Sequence, residues 1–137
     1  MLKKPISILA ADDDKEDLEL IEEAILNASP DAELKTVTTG KDVLEYLNRQ
    51  PDTALPCLII LDYNMPELNG AQVLAQISRE QRYANIPKVV LSTSAAPLHI
   101  HECMANGAAE YFVKPNNMGD LDALAHKMLA FCGKSDQ

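Results

Sequence analysis

Four aspartates stand at the ends of short apolar runs, a position where reactive side chains are common in sheet proteins. Asp12, Asp13 and Asp14 end one run, and Asp62 ends another. If these runs are neighbouring parallel strands, Asp12, Asp13 and Asp62 converge, and their carboxylates repel one another unless a hard cation lies among them. Magnesium prefers oxygen ligands and is commonly held by one or two carboxylates beside a phosphate. These residues therefore predict a Mg²⁺ site beside a phosphoryl group.

A hydroxyl group and an ammonium group follow two further apolar runs. Ser92 ends one of these runs and Lys114 follows the other. The hydroxyl of Ser92 can donate a hydrogen bond to a phosphoryl oxygen, and Lys114 can neutralise the phosphoryl charge. Neither histidine nor cysteine follows these runs. The pattern therefore predicts phosphoryl transfer in which a carboxylate attacks phosphorus.

The elements that must position these residues alternate along the chain. Short apolar or mixed runs cover residues 6–11, 33–37, 57–61, 88–91 and 110–113. Helical spacing of apolar residues follows each run, as with Leu18, Ile21 and Ile25 after the first. This alternation predicts an α/β fold with a parallel sheet covered on both faces, whose ligands bind at the carboxyl ends of the strands. The polar character of the second run predicts that it lies at a sheet edge.

Length and composition restrict the classes of protein that fit. The chain has 137 residues, a net charge of −9, a pI near 4.7 and 47% hydrophobic residues. These values predict one acidic domain over residues 1–137, with its core at about 6–132 and a short disordered C-terminal tail. No run approaches the roughly 20 apolar residues of a membrane span, so no membrane association is expected. The acidic balance and the absence of Trp argue against direct nucleic-acid binding.

The cysteines bear on the cellular compartment. Cys57, Cys103 and Cys132 are an odd number with no closely spaced pair. Such a pattern is more typical of free thiols in a reducing compartment than of a disulfide framework. The sequence therefore predicts three free thiols and a cytoplasmic location.

Taken together, these residues resemble the receiver domains of two-component response regulators, and the likeness covers residues 6–131. The family pattern has an acidic pair after strand one, then Asp-x-x-Met-Pro with a nearby Gly, a Ser or Thr, an aromatic residue, and a final Lys-Pro pair. The matching positions are Asp12-Asp13, Asp62-Tyr63-Asn64-Met65-Pro66, Gly70, Ser92, Tyr111 and Lys114-Pro115. The resemblance implies a flavodoxin-like, doubly wound (βα)5 fold with strand order 2-1-3-4-5.

The resemblance also implies a role for each matching residue. Asp62 would be the phosphoacceptor, assisted by Lys114 and Ser92. Asp13 and Asp62 would hold Mg²⁺ together with the backbone carbonyl of Asn64, while Asp12 would act mainly through metal-bound water. Ser92 and Tyr111 would form the switch that carries the signal to the surface.

The function implied by the resemblance is that of a signalling switch, and not of an enzyme. Asp62 would take a phosphoryl group from a sensor histidine kinase. The surface of the fourth helix, fifth strand and fifth helix, roughly residues 97–131, would then bind a downstream effector or a histidine phosphotransfer protein. The domain would have no output domain of its own. The family also often has a cis bond at Lys114–Pro115, which is compatible with this sequence.

Two alternatives from other classes remain. The first is a Mg²⁺-dependent phosphohydrolase of the haloacid dehalogenase type, although Glu16 stands where that motif needs Thr or Val. The second is an interaction module that works without phosphorylation, although every acceptor-site position is intact.

Two local patterns also allow more than one interpretation. For Asp14, capping of a helix is expected in preference to binding of a metal ion. His99 and His101 are two residues apart, so on a helix they face nearly opposite ways and cannot grip one zinc ion. They are expected on a solvated or partner-facing helix.

Overall fold

Each predicted run forms a strand of one sheet in the computed structural model, which describes residues 6–134. The strands are β1 (Ser7–Ala11), β2 (Glu33–Val37), β3 (Leu58–Leu61), β4 (Lys88–Ser92) and β5 (Glu110–Val113). The helices are α1 (Lys15–Ala28), α2 (Gly40–Arg49), α3 (Gly70–Ile77), α4 (Pro97–Ala105) and α5 (Met118–Lys134). Because α5 continues through Lys134, only residues 135–137 of the expected tail remain, and these lie outside the described residues.

The strand order is β2-β1-β3-β4-β5, and all four strand pairs are parallel. The predicted order is therefore present, and the polar strand β2 lies at an edge as expected. Because β1 lies between β2 and β3, the chain winds in opposite directions on either side of it. A crevice forms at the carboxyl ends of β1 and β3, where open α/β sheets bind their ligands.

Capping residues define where several helices begin. The Asp14 carboxylate accepts hydrogen bonds from the backbone N–H groups of Glu16 (2.9 Å) and Asp17 (3.3 Å), which confirms the predicted helix cap. At α3, Asn69 and Gln72 each accept a hydrogen bond from the other's backbone N–H at 2.9 Å. These bonds satisfy backbone groups that the first turn of a helix leaves free.

The core has two layers, one on each face of the sheet. Alternate residues of each central strand enter different layers, as strand geometry requires. Leu9 and Ile59 pack against α2, α3 and α4, whereas Ile8 and Ile60 pack against α1 and α5. The strands β1, β3 and β4 are therefore buried on both faces, which gives rigid support to the residues that follow them.

None of the described helices has the length and apolar character that crossing a bilayer requires.

The prediction of three free thiols is wrong. Cys57, just before β3, forms a disulfide with Cys132 in α5, and their Cα atoms are 5.0 Å apart. The two residues are 75 positions apart in the sequence. They meet because α5 packs on the sheet face beside β3, a contact that no local spacing indicates. Cys103 is a free thiol and is buried in α4.

Candidate functional site

Backbone hydrogen bonds between neighbouring strands continue past the strand ends. They place the predicted site residues together at the carboxyl end of the sheet. The backbone N–H of Asp62 donates to the Ala11 carbonyl at 3.0 Å, and that of Lys114 donates to the Ser92 carbonyl at 2.8 Å. Each residue is thereby held beside the end of the neighbouring strand. The crevice at the carboxyl ends of β1 and β3 thus receives side chains from four strands.

Three carboxylates meet in this crevice. Asp12, Asp13 and Asp62 each offer an oxygen atom, and these three atoms all lie within 4.8 Å of one another. Asp12 and Asp62 are buried, whereas Asp13 is exposed. This is the one group of three or more possible metal ligands among residues 6–133. The donor set consists of oxygen atoms with one side open to solvent, which fits Mg²⁺. Asn64 is exposed and follows Asp62 by two residues.

The ammonium group of Lys114 enters the same cluster. Its Nζ lies 2.5 Å from Asp12 Oδ2, 2.8 Å from Asp17 Oδ2 and 3.6 Å from Asp62 Oδ2. Burial acts to lower the pKa of Lys114, but the hydrogen bonds to Asp12 and Asp17, together with the negative charges of Asp62 and Asp12, raise it by more. Lys114 is therefore charged at physiological pH. The family resemblance is compatible with a cis bond at Lys114–Pro115, but this bond is trans in the structure.

Asp12 carries the most perturbed carboxyl group of the site. Burial raises the pKa of Asp12 to about 6, although hydrogen bonds from Lys114 and from the Asp14 backbone act to lower it. The charge of nearby Asp62 also acts to raise it and is part of this shift. Lys114 is paired with three carboxylates, and Asp13 adds a fourth close to Asp12 and Asp62, so negative charge exceeds positive charge in this group.

The predicted switch residues, Ser92 and Tyr111, both contact Ser94. Ser92 is fully buried, and its hydroxyl oxygen accepts a hydrogen bond from the Ser94 backbone N–H at 3.2 Å. The half-buried Tyr111 donates its phenolic hydrogen to the Ser94 carbonyl at 2.7 Å. Burial raises the pKa of Tyr111, while hydrogen bonding to Ser92 and Ser94 acts to lower it. Ser94 therefore joins the hydroxyl at the end of β4 to the aromatic ring on β5.

A glycine holds the loop after Asp62 against α3. A Cβ atom on Gly70 would lie 2.6 Å from the Asp62 carbonyl oxygen and 3.1 Å from the Tyr63 Cα. The Gly70 N–H donates to the Tyr63 carbonyl at 2.9 Å. The start of α3 therefore touches the backbone of Asp62 directly, and a side chain at this position would displace it.

Sequence reasoning missed some contacts of the site. Asp17 is not among the predicted site residues, yet its carboxylate binds Lys114. One turn into α1, its side chain leans back toward the crevice, because side chains on a helix tilt toward the N-terminus.

The sequence predicts His99 on a solvated or partner-facing helix, and in the structure its side chain is only partly exposed. It is half-buried, and its imidazole ring stacks on Tyr63 with centroids 3.9 Å apart. His101 is exposed, as expected. Among the residues with described side chains, the two histidines form no group with other potential metal ligands.

Comparison with known proteins agrees with this geometry. A family model described as the response regulator receiver domain matches residues 8–126. The two-component response regulator ORR11 of Oryza sativa subsp. indica is 33% identical over 125 residues, which cover 91% of this chain and 82% of that protein. ARR8 of Arabidopsis thaliana, another two-component response regulator, is 31% identical, with 89% of this chain and 60% of that protein covered.

Solved structures show the same fold. The phosphorylated cyanobacterial phytochrome response regulator RcpA superposes with a TM-score of 0.84 at 31% identity, covering 93% of this chain and 94% of that one. The Mn²⁺-bound form of the response regulator Rcp1 gives a TM-score of 0.80 at 30% identity, with the same shares covered. The predicted flavodoxin-like (βα)5 fold is confirmed.

Proposed function

This chain belongs to the response regulator receiver family of two-component signalling, and from that premise we propose that it is a phosphorylation switch whose acceptor is Asp62. Residues 1–137 act in this proposal as one receiver domain. It is a signalling domain that assists only its own phosphorylation and dephosphorylation.

The observation that carries the proposal is the grouping of three carboxylates with one ammonium group. Asp62 lies within 4.8 Å of the Asp12 and Asp13 oxygens, and its Oδ2 is 3.6 Å from Lys114 Nζ. Phosphoryl transfer needs positioning and charge stabilisation more than proton transfer. This crevice supplies a nucleophilic oxygen, a cation and carboxylates for a metal, all attached to the ends of buried strands.

Magnesium held by Asp13, Asp62 and the Asn64 carbonyl, with Asp12 acting mainly through a bound water, would offset the negative charge of the transferring group. Asp62 attacks the phosphorus of a phosphohistidine on the sensor kinase. A P–O bond to the carboxylate forms while the P–N bond breaks, and the imidazole nitrogen keeps the electron pair. Lys114 neutralises the phosphoryl oxygens. Water later hydrolyses the acyl phosphate and restores the carboxylate.

The switch follows from the new oxygen atoms on Asp62. The Ser92 hydroxyl moves to donate a hydrogen bond to the phosphoryl group, and the Tyr111 ring moves toward the space that Ser92 leaves. Tyr111 is half-buried and hydrogen-bonded to the Ser94 carbonyl. Its movement therefore also changes the loop after β4 that contains Ser94. Phosphorylation thereby shifts the population between two arrangements.

The proposed partner surface consists of α4, β5 and α5. Leu98, Met104 and Val113 are large apolar residues on α4 and β5 with exposures of 65%, 43% and 45%. Large exposed apolar side chains of this kind are available for contact with a partner protein. The partner is a downstream effector or a histidine phosphotransfer protein. The exchange takes place in the cytoplasm, with no nucleic acid and no membrane involved.

Intact mass spectrometry tests the proposal. The native chain and Asp62→Asn are incubated with acetyl phosphate, each with Mg²⁺ or with a chelator. We expect one hydrolysable phosphoryl group on the native chain in the presence of Mg²⁺, and none in the other three samples. A native chain that gains no phosphoryl group would contradict the proposal and favour a phosphorylation-independent module.

The phosphohydrolase alternative gives a different result in the same assay. Its nucleophile would be Asp12, so the label would survive in Asp62→Asn and disappear in Asp12→Asn. Turnover of simple phosphate esters would accompany this pattern.

A further inference from the structure

Tyr63, the residue after the proposed acceptor, is bound to α4 by two contacts. Its ring stacks on the His99 imidazole, with a centroid distance of 3.9 Å and an angle of 14° between the rings. Its hydroxyl donates to Glu102 Oε2 at 3.1 Å. His99 and Glu102 are three residues apart and so occupy one face of the helix. The side chain of Tyr63 thus fixes the position of that face.

The backbone of Tyr63 is held firmly beside Asp62. Gly70 contacts the backbone of both residues, and its N–H donates to the Tyr63 carbonyl at 2.9 Å. Asn69 Nδ2 lies 3.4 Å from the Tyr63 hydroxyl. Tyr63 is 8% exposed, so its ring has little room to move independently. The ring of Tyr63 is therefore placed where it would follow a displacement of the Asp62 backbone.

The other edge of His99 contacts the loop that follows Ser92. His99 Nδ1 lies 2.6 Å from Ser94 Oγ, which also accepts a hydrogen bond from the Ala96 N–H at 3.3 Å. The Ser94 N–H in turn donates to the Ser92 hydroxyl oxygen at 3.2 Å. His99 therefore contacts two segments that lead away from the site. It contacts the segment after Asp62 through Tyr63, and the segment after Ser92 through Ser94.

We propose that Tyr63 and His99 are positioning residues that transmit the state of Asp62 to α4 by a route that does not require the ring of Tyr111. This inference rests on the proposed function of Asp62. When Ser92 turns toward the phosphoryl group, it gives up its contact with Ser94, and the stacked pair settles in a second arrangement. Tyr111 donates to the Ser94 carbonyl oxygen and is not a member of the stacked pair, so removal of its ring should leave the Tyr63–His99 stack in place.

Amide chemical shifts of the full chain test this inference. Spectra are recorded before and after treatment with acetyl phosphate and Mg²⁺, and intact mass measures the phosphorylated fraction of every sample. In the native chain, phosphorylation should shift the amides of residues 100–104 in α4. In His99→Ala these shifts should fall by about half or more at equal phosphorylation. His101→Ala, an exposed substitution on the same helix, should leave them unchanged.

Two further substitutions separate the ring of Tyr63 from its hydroxyl and from Tyr111. Tyr63→Leu should reduce the α4 shifts as His99→Ala does, and Tyr63→Phe should restore most of them because the stack remains. Tyr111→Ala should lower them less than His99→Ala does, because the Tyr63–His99 stack remains. In the double variant Tyr63→Leu/His99→Ala the reductions should not add, because both substitutions break the same contact.

Results of the opposite kind would overturn the inference. If fully phosphorylated His99→Ala and Tyr63→Leu keep the native α4 shifts, or if Tyr111→Ala abolishes them, the route through the stack is wrong while the function of Asp62 stands. A native chain that shows no gain in mass would contradict the function of Asp62 itself, and the coupling would fail with it.

Discussion

Lys114 lies closer to Asp12 than to Asp62, with Nζ–Oδ2 distances of 2.5 Å and 3.6 Å. The lysine expected to neutralise a phosphoryl group on Asp62 therefore first offsets the charge of another buried carboxylate. Asp17 holds it from a third side at 2.8 Å. This relationship gives Lys114 a role in stability that can be measured apart from its role in phosphorylation.

Replacement of Lys114 by Met should lower the free energy of unfolding at neutral pH without Mg²⁺. The buried carboxylate of Asp12 would lose its compensating cation, and breaking a buried ion pair on one side costs about 3 kcal/mol. Urea denaturation with a chelator present measures the change. Lys127→Met removes an exposed lysine of α5 and should change the value little. Equal stability of the two variants would contradict the role assigned to Lys114.

The raised pKa of Asp12 predicts how stability depends on pH. Its pKa is about 6 in the folded chain against an ordinary value of 3.8, so the folded state binds the proton more tightly. The resulting stabilisation is complete below about pH 4 and is lost as the pH rises through about 6. Without metal, the native chain should therefore lose stability relative to Asp12→Asn across this interval. Parallel pH profiles of the two proteins would argue against a buried, protonatable Asp12.

Gly70→Ala should impair both folding and phosphorylation. The new Cβ would lie 2.6 Å from the Asp62 carbonyl oxygen, and overpacking of this kind costs about 1–3 kcal/mol. A shift of the acceptor by about 1 Å can slow a reaction by about a hundredfold. Thermal unfolding and the rate of acetyl phosphate labelling report the two effects. Gly133→Ala is the control, because a Cβ there has no atom within 4 Å; similar behaviour of both variants would refute the contact.

Reduction of the Cys57–Cys132 disulfide should destabilise the chain. It links positions 75 residues apart, and closing a loop of that length is worth about 4 kcal/mol in the chain-entropy account. A reductant should lower the Tm by roughly 10 °C, and a Cys57→Ser/Cys132→Ser variant should not respond to it.

Thiol counting tests whether the bond forms in the isolated protein. Denaturation and alkylation without a reductant should modify Cys103 alone, since Cys57 and Cys132 are paired. Alkylation of all three cysteines would show that the bond is absent in solution. In the reducing cytoplasm of the proposed function, Cys57 and Cys132 would be thiols. The stability of the reduced protein is therefore the value that applies there.

Most of the fold could be predicted because each element carries a local signal. The continuous apolar run before Asp62 becomes the central strand β3, and the polar second run becomes the edge strand β2. The cap at Asp14 also follows from its position before a helix. The strand order came from the family resemblance, because neither period nor composition specifies which strands pair.

The missed features all depend on contacts between distant segments. Cys57 and Cys132 meet only because α5 packs on the sheet beside β3. The Tyr63–His99 stack depends on where α4 lies relative to the acceptor loop, and the Asp17–Lys114 pair depends on the tilt of a helical side chain. Such contacts have no periodic signal in the sequence, so residue type and spacing could not reveal them.

The most direct test of the account is to locate the phosphoryl group within the chain. After treatment with acetyl phosphate and Mg²⁺, borohydride reduces an aspartyl phosphate to homoserine, which peptide mass spectrometry assigns to one position. We expect homoserine at position 62 in the native chain and at no position when Mg²⁺ is chelated. Homoserine at Asp12 or Asp13, or a phosphoryl group retained on Ser92, would contradict it.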